Sequence, residues 1–398
     1  MSAPTSRPRH KHTKHYKRIR SHAIDLYHTL NQRLPGSPSC RCASHQVNIK
    51  LEYRVASGTD ATTPFHTLFT LSAHTAPRQP TNPWREMQLE NWQPMETTQS
   101  KVEQISVAQT PPKWKLPFRK KDSNPPLVPK KVAFLVNDDK SLERKTKYSE
   151  IQDLCNFIIG SKTSIEWHGF ITDDRSRKHR LRDVHQTQAL SIDTTESNTI
   201  SLAQAFFTHQ TPTRDVRSKL GLKLASSVMQ LHTTEWLSGT WGAENIFFLL
   251  SRDGIPKLND PLVQQVFGSN SQAAYSNNAN SIRLGASIPC LFSLGLVLIE
   301  LWHWKPFAEL KTDQEKAMMN APVPEIFDIM AADRLVKAMD DAGPSYTASV
   351  QRCIFGVDAA CTSLEEDKFR DEVEEKIIFP LAEHLRFFCG KETAEECF

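Results

Sequence analysis

Cys40-x-Cys42-x-x-His45 sets two thiols and an imidazole close together in the chain. These are the donor types that a zinc ion takes, and a structural zinc site wants four of them. No clear fourth donor sits nearby in sequence, and His22 or His28 would have to fold back to supply one. The segment therefore reads as two small residues in a loop entering a strand, and no metal site is assigned. His10, His12 and His15 lie in a basic stretch where any metal contact would be loose. Neither G-x-S-x-G, H-E-x-x-H nor a P-loop occurs, which leaves hydrolase, zinc-protease and NTPase readings without a motif. A G-x-G-x-x-G loop that would cover phosphates is also missing. The eight cysteines are scattered, at 40, 42, 155, 290, 353, 361, 389 and 397, a pattern of reduced thiols in an intracellular compartment rather than of a disulfide framework.

The elements that would position any such residues start from one stretch, Cys290 to Trp302, CLFSLGLVLIELW. Its apolar groups cover nearly every face, so a helix built from it must be buried on most sides. Its length falls short of the about 20 residues that span a bilayer, so it reads as the central helix of a large core. Val216, Leu220, Leu224, Val228 and Leu231 recur at helical spacing and predict a long helix over 214–232. Further helices are predicted over 19–33, 148–159, 201–207, 325–340, 345–355 and 365–388. Val47–Val55 and Phe65–Leu71 read as a β-hairpin, and 164–172 with 178–184 as two strands around the charged turn 173–177. A strand over 245–250 turns at Asp253-Gly254 and returns over 255–258. Lys131–Val136 is another strand, and the prolines between 91 and 130 mark an insertion or linker. Trp236, Trp241, Trp302 and Trp304 read as core.

The chain has 398 residues, enough for two domains or one bilobal domain with extensions. A net charge of +4 is too small to imply nucleic acid by itself. Charge is uneven, however: residues 1–24 hold seven Lys/Arg and no Asp or Glu, whereas acidic residues predominate after Leu364. Residues 1–18 read as a disordered basic tail that could contact anionic lipid or nucleic acid. With no hydrophobic signal sequence and no membrane-spanning run, the expected location is cytoplasmic, with the nucleus as an alternative.

The order of elements, strand pair, short helix, long helix, loop, hairpin, buried helix and more helices, is similar to the second half of a protein kinase domain. IEWHGFITDD resembles the strands leading to a kinase hinge, and LGLKLASSVMQLH with TTEWLSGTWGAENIFFL resembles the long helix and catalytic loop. RDGIPKLNDPL resembles the Asp-Phe-Gly region, and FSLGLVLIEL followed by KPF resembles the central helix. The CRCASH to LEYRV stretch, LASSVMQLHTTEWLSGTW, IPCLFSLGLVLIEL and FRDEVEEKIIFPLAEHL resemble, more narrowly, a fungal family with a degenerate kinase-like domain. That family is often found behind a HeLo-type or prion-inhibition-and-propagation domain. The resemblance implies an α+β, bilobal, protein-kinase-like fold. A β-rich N-lobe-like part would cover 19–200 and a larger, mainly helical C-lobe 201–390.

A kinase catalytic loop reads H-R-D-L-x-x-x-N. With Asn245 aligned to its Asn, the base position becomes Thr240, the His and Arg positions Ser238 and Gly239, and the following Lys position Gly242. A Thr hydroxyl cannot replace a carboxylate as proton acceptor near neutral pH. Asp260 falls where the Asp of Asp-Phe-Gly would lie, and Asn245 with Asp260 could still hold Mg²⁺ and a phosphate. The plainer reading is that Asp260 opens a turn before Pro261 and Asn245 caps the hairpin. VNIK, ending in Lys50, resembles the kinase V-A-I-K strand, so Lys50 joins them as a candidate nucleotide ligand. Cys290 stands where a kinase has the Asp that braces the catalytic loop.

The resemblance thus implies a pseudokinase: a non-catalytic interaction or regulatory module with an unidentified protein partner, near non-self recognition or regulated cell death. One alternative is an atypical Mg-nucleotide-binding protein using Lys50, Asn245 and Asp260. Another is an adaptor whose binding lies in residues 1–24.

Overall fold

The computed structural model describes residues 10–34, 42, 44–54, 64–71, 84–92, 148–160, 164, 166–184, 199–237, 240–268, 288–318, 324–357 and 363–398. Cys40, Ser238, Gly239, most of the proline-rich stretch and the expected strand at 131–136 lie outside them.

Among the described residues, eight strands form one antiparallel sheet. They are β1 (His45–Lys50), β2 (Phe65–Leu71), β3 (Trp84–Asn91), β4 (Gly169–Thr172), β5 (Lys178–Asp183), β6 (Thr199–Ser201), β7 (Ile246–Leu249) and β8 (Leu262–Phe267). Their order is β4-β5-β3-β2-β1-β8-β7-β6. The β1–β2 hairpin forms as the two β-rich segments predict, with Val47 opposite Phe69. On its other edge β1 pairs with β8, Ile49 opposite Val263. Strands from both sides of residue 200 therefore share one sheet.

The helices are α1 (His10–Arg33), α2 (Leu154–Gly160), α3 (Leu202–Thr208), α4 (Arg214–Leu231), α5 (Pro289–His303), α6 (Phe307–Leu310), α7 (Asp313–Ala317), α8 (Pro324–Lys337), α9 (Pro344–Phe355), α10 (Asp367–Val373) and α11 (Phe379–Cys389). Ser201 caps α3 by accepting from the Gln204 amide while the Gln204 side chain returns to the Ser201 amide, a capping box. α5 packs on α4 and α9, and α11 packs on α4 and α9, so α5 is central to the helical layer. Leu294, Val297, Leu298, Ile299 and Leu301 are all at most 1% exposed, as the run of apolar residues demands. A π-helical turn, Glu374–Ile378, joins α10 to α11. Pro380 stands at the start of α11, and a proline inside a helix removes a donor and crowds the carbonyl four residues back, a strain that an extra-wide turn relieves.

Several expectations need correction. α1 begins at His10, so residues 10–18 are helical rather than a disordered tail. Tyr16 and Ile19 are 3% and 1% exposed, and burying them on α4 supplies what local charge repulsion opposes. Of the helix predicted over 148–159, only α2 forms; Glu150 instead bridges to Phe170 beside β4, and the Ile151 amide donates to the Phe170 carbonyl at 2.8 Å. The returning strand at 255–258 reduces to one bridge, Leu250 to Pro256. β7 pairs instead with β8, which gains a second partner in β1. β3 was missed because WREMQLEN mixes charged and apolar residues; Trp84, Met87 and Leu89 are nevertheless buried.

Candidate functional site

The β1–β8 register delivers two of the candidate residues to one place. Lys50 ends β1 opposite Leu262, and the Leu51 amide donates to the Pro261 carbonyl at 2.8 Å. Asp260, just before Pro261, closes a turn by donating its amide to the Lys257 carbonyl at 3.0 Å. Lys50 Nζ then lies 2.7 Å from Asp260 Oδ1. α4 passes beneath with Lys219 and Lys223, which share a face at a spacing of four. Together with Glu52, Tyr53 and Arg54, these residues line a cleft of ≈ 480 Å³.

Four cationic side chains, Lys50, Arg54, Lys219 and Lys223, face two carboxylates, Glu52 and Asp260, so positive charge is in excess. Lys223 Nζ donates to the Asn259 carbonyl at 2.5 Å. Burial holds the Lys223 ammonium below the ordinary lysine range, against the opposing pull of Asp260. Burial alone would raise the Glu52 carboxyl, but Arg54, whose Nη2 donates to Glu52 Oε2 at 2.9 Å, and then Lys50 and His66, outweigh it and hold the group below its usual range. Phe398 closes one side, its ring 5.6 Å from that of Tyr53 and 4.9 Å from Lys223 Nζ. A cation this close to an aromatic face is attracted to it.

Asn245 does not join this cleft. It ends a single 3₁₀ turn, Ala243–Asn245, ahead of β7. Its side-chain oxygen accepts from the Gly242 amide at 2.9 Å, and its own amide donates to the Gly242 carbonyl at 3.0 Å. The residue thus serves as a local cap, and it does not line the cleft that holds Asp260. Thr240 is exposed. Trp241 and Phe248 are buried in the core and line no part of the cleft.

At the position of the bracing Asp, Cys290 is 8% exposed, and burial pushes its thiol up to about 12. It therefore stays uncharged and cannot anchor a loop by an ion pair. The anchor is the Trp241 indole, which donates to the Cys290 backbone carbonyl at 3.3 Å. Trp236, Trp302 and Trp304 are likewise buried. Cys42 and His45 meet a further thiol, Cys155 on α2, that no spacing in the sequence signalled. Among the described residues, no helix is long and apolar enough to cross a membrane.

No curated protein matches the chain. Among solved structures, a chain of the complex of Neurospora crassa PAN2 (WD40-CS1) with PAN3 (pseudokinase and C-term) is similar at 9% identity. The match covers 94% of this chain and 70% of that one, with a TM-score of 0.29. A likeness at that score decides neither the fold nor the activity of this chain. The family comparison covers nearly the whole sequence: a model described as "Domain of unknown function (DUF7580)" matches residues 13–388. The chain belongs to that family.

Proposed function

We propose that the chain is a non-catalytic, pseudokinase-like interaction module, and that the cleft between β1, β8 and α4 serves recognition rather than phosphotransfer. The placing of Asn245 in a local cap, outside the lining of the cleft that holds Lys50 and Asp260, carries this reading. A phosphoryl-transfer site needs a base and metal ligands converging on one phosphate, whereas Asn245 caps its own turn and Asp260 is paired to Lys50 at 2.7 Å. Thr240 at the base position and the uncharged Cys290 support the same conclusion. The bilobal kinase-like arrangement, a fungal origin, and a role in non-self recognition or regulated cell death rest on the sequence resemblance alone.

A second reading has its own observation. The excess of cations around the cleft would attract a polyphosphate, so the chain could bind a nucleotide without transferring phosphate. Thermal unfolding of the full chain, alone and with millimolar Mg²⁺ and ATP, separates the two. A ligand at a hundred times its dissociation constant stabilises by about 2.7 kcal/mol, a readily seen shift. The interaction-module reading expects no Mg²⁺-dependent shift. A shift that needs Mg²⁺ and disappears in Asp260→Ala would replace it with the nucleotide-binding reading.

A further inference from the structure

Three donor side chains outside the cleft converge at the start of the sheet. Cys42 and His45 flank the entry to β1, and Cys155 is the second residue of α2, which packs on β2. Their ligand atoms all lie within 4.8 Å of one another. We propose that Cys42, His45 and Cys155 bind a zinc ion, two as thiolates and the third through one imidazole nitrogen.

The spacing of the sulfurs carries the argument. Cys42 Sγ lies 3.8 Å from Cys155 Sγ. Zinc–thiolate bonds of about 2.3 Å at a tetrahedral angle set two sulfurs about 3.8 Å apart, whereas a disulfide needs about 2.05 Å. No disulfide forms among the described cysteines. Donor chemistry agrees, because thiolate and imidazole are the ligands that tetrahedral zinc prefers. Two thiolates, one neutral imidazole and Zn²⁺ sum to no net charge. A loaded site can therefore be buried at little electrostatic cost, as Cys155 at 1% and His45 at 2% exposure require.

The His45 ring has the support that metal-bound histidines use. A hydrogen bond to the backbone of Phe267, its partner across β8, orients it. Cys42 is partly exposed and gives the ion a way in. Three protein ligands leave one position of the tetrahedron to a further donor or a water. The ion would staple β1 to α2, two elements more than a hundred residues apart in the chain.

The test uses the full chain, purified reduced, stripped by a chelator and titrated with Co²⁺ as the spectroscopic probe. One equivalent is expected to give a thiolate-to-cobalt charge-transfer band with the strong d–d bands of a tetrahedral site, and Zn²⁺ should displace it. Cys42→Ser and Cys155→Ser should each lose most of the charge-transfer intensity, while Cys389→Ser keeps it. Circular dichroism of the metal-free variants serves as the folding control. Because a variant can fail to fold, the wild-type chain is also alkylated with and without one equivalent of Zn²⁺, and protection of Cys42 is read by mass spectrometry. Three results overturn the proposal: no charge-transfer band in folded wild type, full intensity retained in both folded serine variants, or alkylation of Cys42 unchanged by zinc.

Discussion

Replacing Gly295 by alanine tests whether α5 is the packed centre of the helical layer. An added Cβ would lie 2.6 Å from Ile354 Cδ1, 2.9 Å from Cys353 Cβ and 3.1 Å from Ile354 Cγ1 on α9. Cys353 Cβ is fixed to the backbone and cannot swing away, and Ile354, at 2% exposure, has little space to turn into. Two effects compete. Gly→Ala inside a helix gains about 1 kcal/mol of propensity. Overpacking a filled core costs about 1–3 kcal/mol. At Gly295 the clash wins, and the variant is expected to be about 1 kcal/mol less stable than wild type.

Gly221 on α4 supplies the control. There the close neighbour is the terminal methyl Leu298 Cδ2, at 2.9 Å, while Leu301 and Tyr346 stand off at 3.9 Å. A terminal methyl can rotate aside, so Gly221→Ala is expected to match wild type or exceed it by up to about 1 kcal/mol. The assay is urea unfolding followed by circular dichroism, with midpoints compared at constant slope. Ile354→Val removes the nearest atom; alone it costs about 0.5–1.5 kcal/mol. Beside Gly295→Ala it should cost less, because the pair is in contact and not additive. The reasoning is refuted if Gly295→Ala is as stable as Gly221→Ala and Ile354→Val is additive with it.

Two other perturbations follow from buried groups. Burial, with Glu244 adding to it, raises the Glu300 carboxyl to about 7, although its Oε1 accepts from the Phe307 amide at 2.8 Å. Between its ordinary 4.5 and about 7 the folded chain holds more protons there than the unfolded chain, so ionising Glu300 destabilises the fold as pH rises. Relative to Glu300→Gln, wild type should lose up to about 3 kcal/mol across that window and no more above it; a pH-independent difference would refute this. Deleting residues 1–24 removes Tyr16, Ile19 and Ala23 from the core, along with the ion pair of Arg20 to Glu365 at 2.6 Å. Urea unfolding should show a loss on the order of 5 kcal/mol, and an unchanged midpoint would return the adaptor reading of that segment.

What the sequence determined by itself was local. The apolar run of CLFSLGLVLIELW and the period of Val216, Leu220 and Leu224 identified α5 and α4, because burying a helix face imposes a repeat along the chain, and the β-rich composition of FHTLFTL identified β2. Thr240 and Cys290 stood out only through the resemblance to a kinase catalytic loop and central helix, which implied a carboxylate at each position. Tertiary structure decided the rest. The basic start of α1 became helix because Tyr16 and Ile19 found a surface to bury on, and nothing in residues 10–18 describes that surface. Pairing of β8 with the distant β1, in addition to its neighbour β7, joined Lys50 to Asp260, while Asn245 capped its own turn outside the cleft lining. The third thiol beside Cys42 and His45 came from α2. Such meetings depend on which distant surfaces are complementary, a property of pairs of segments that the periodicity of either segment cannot carry.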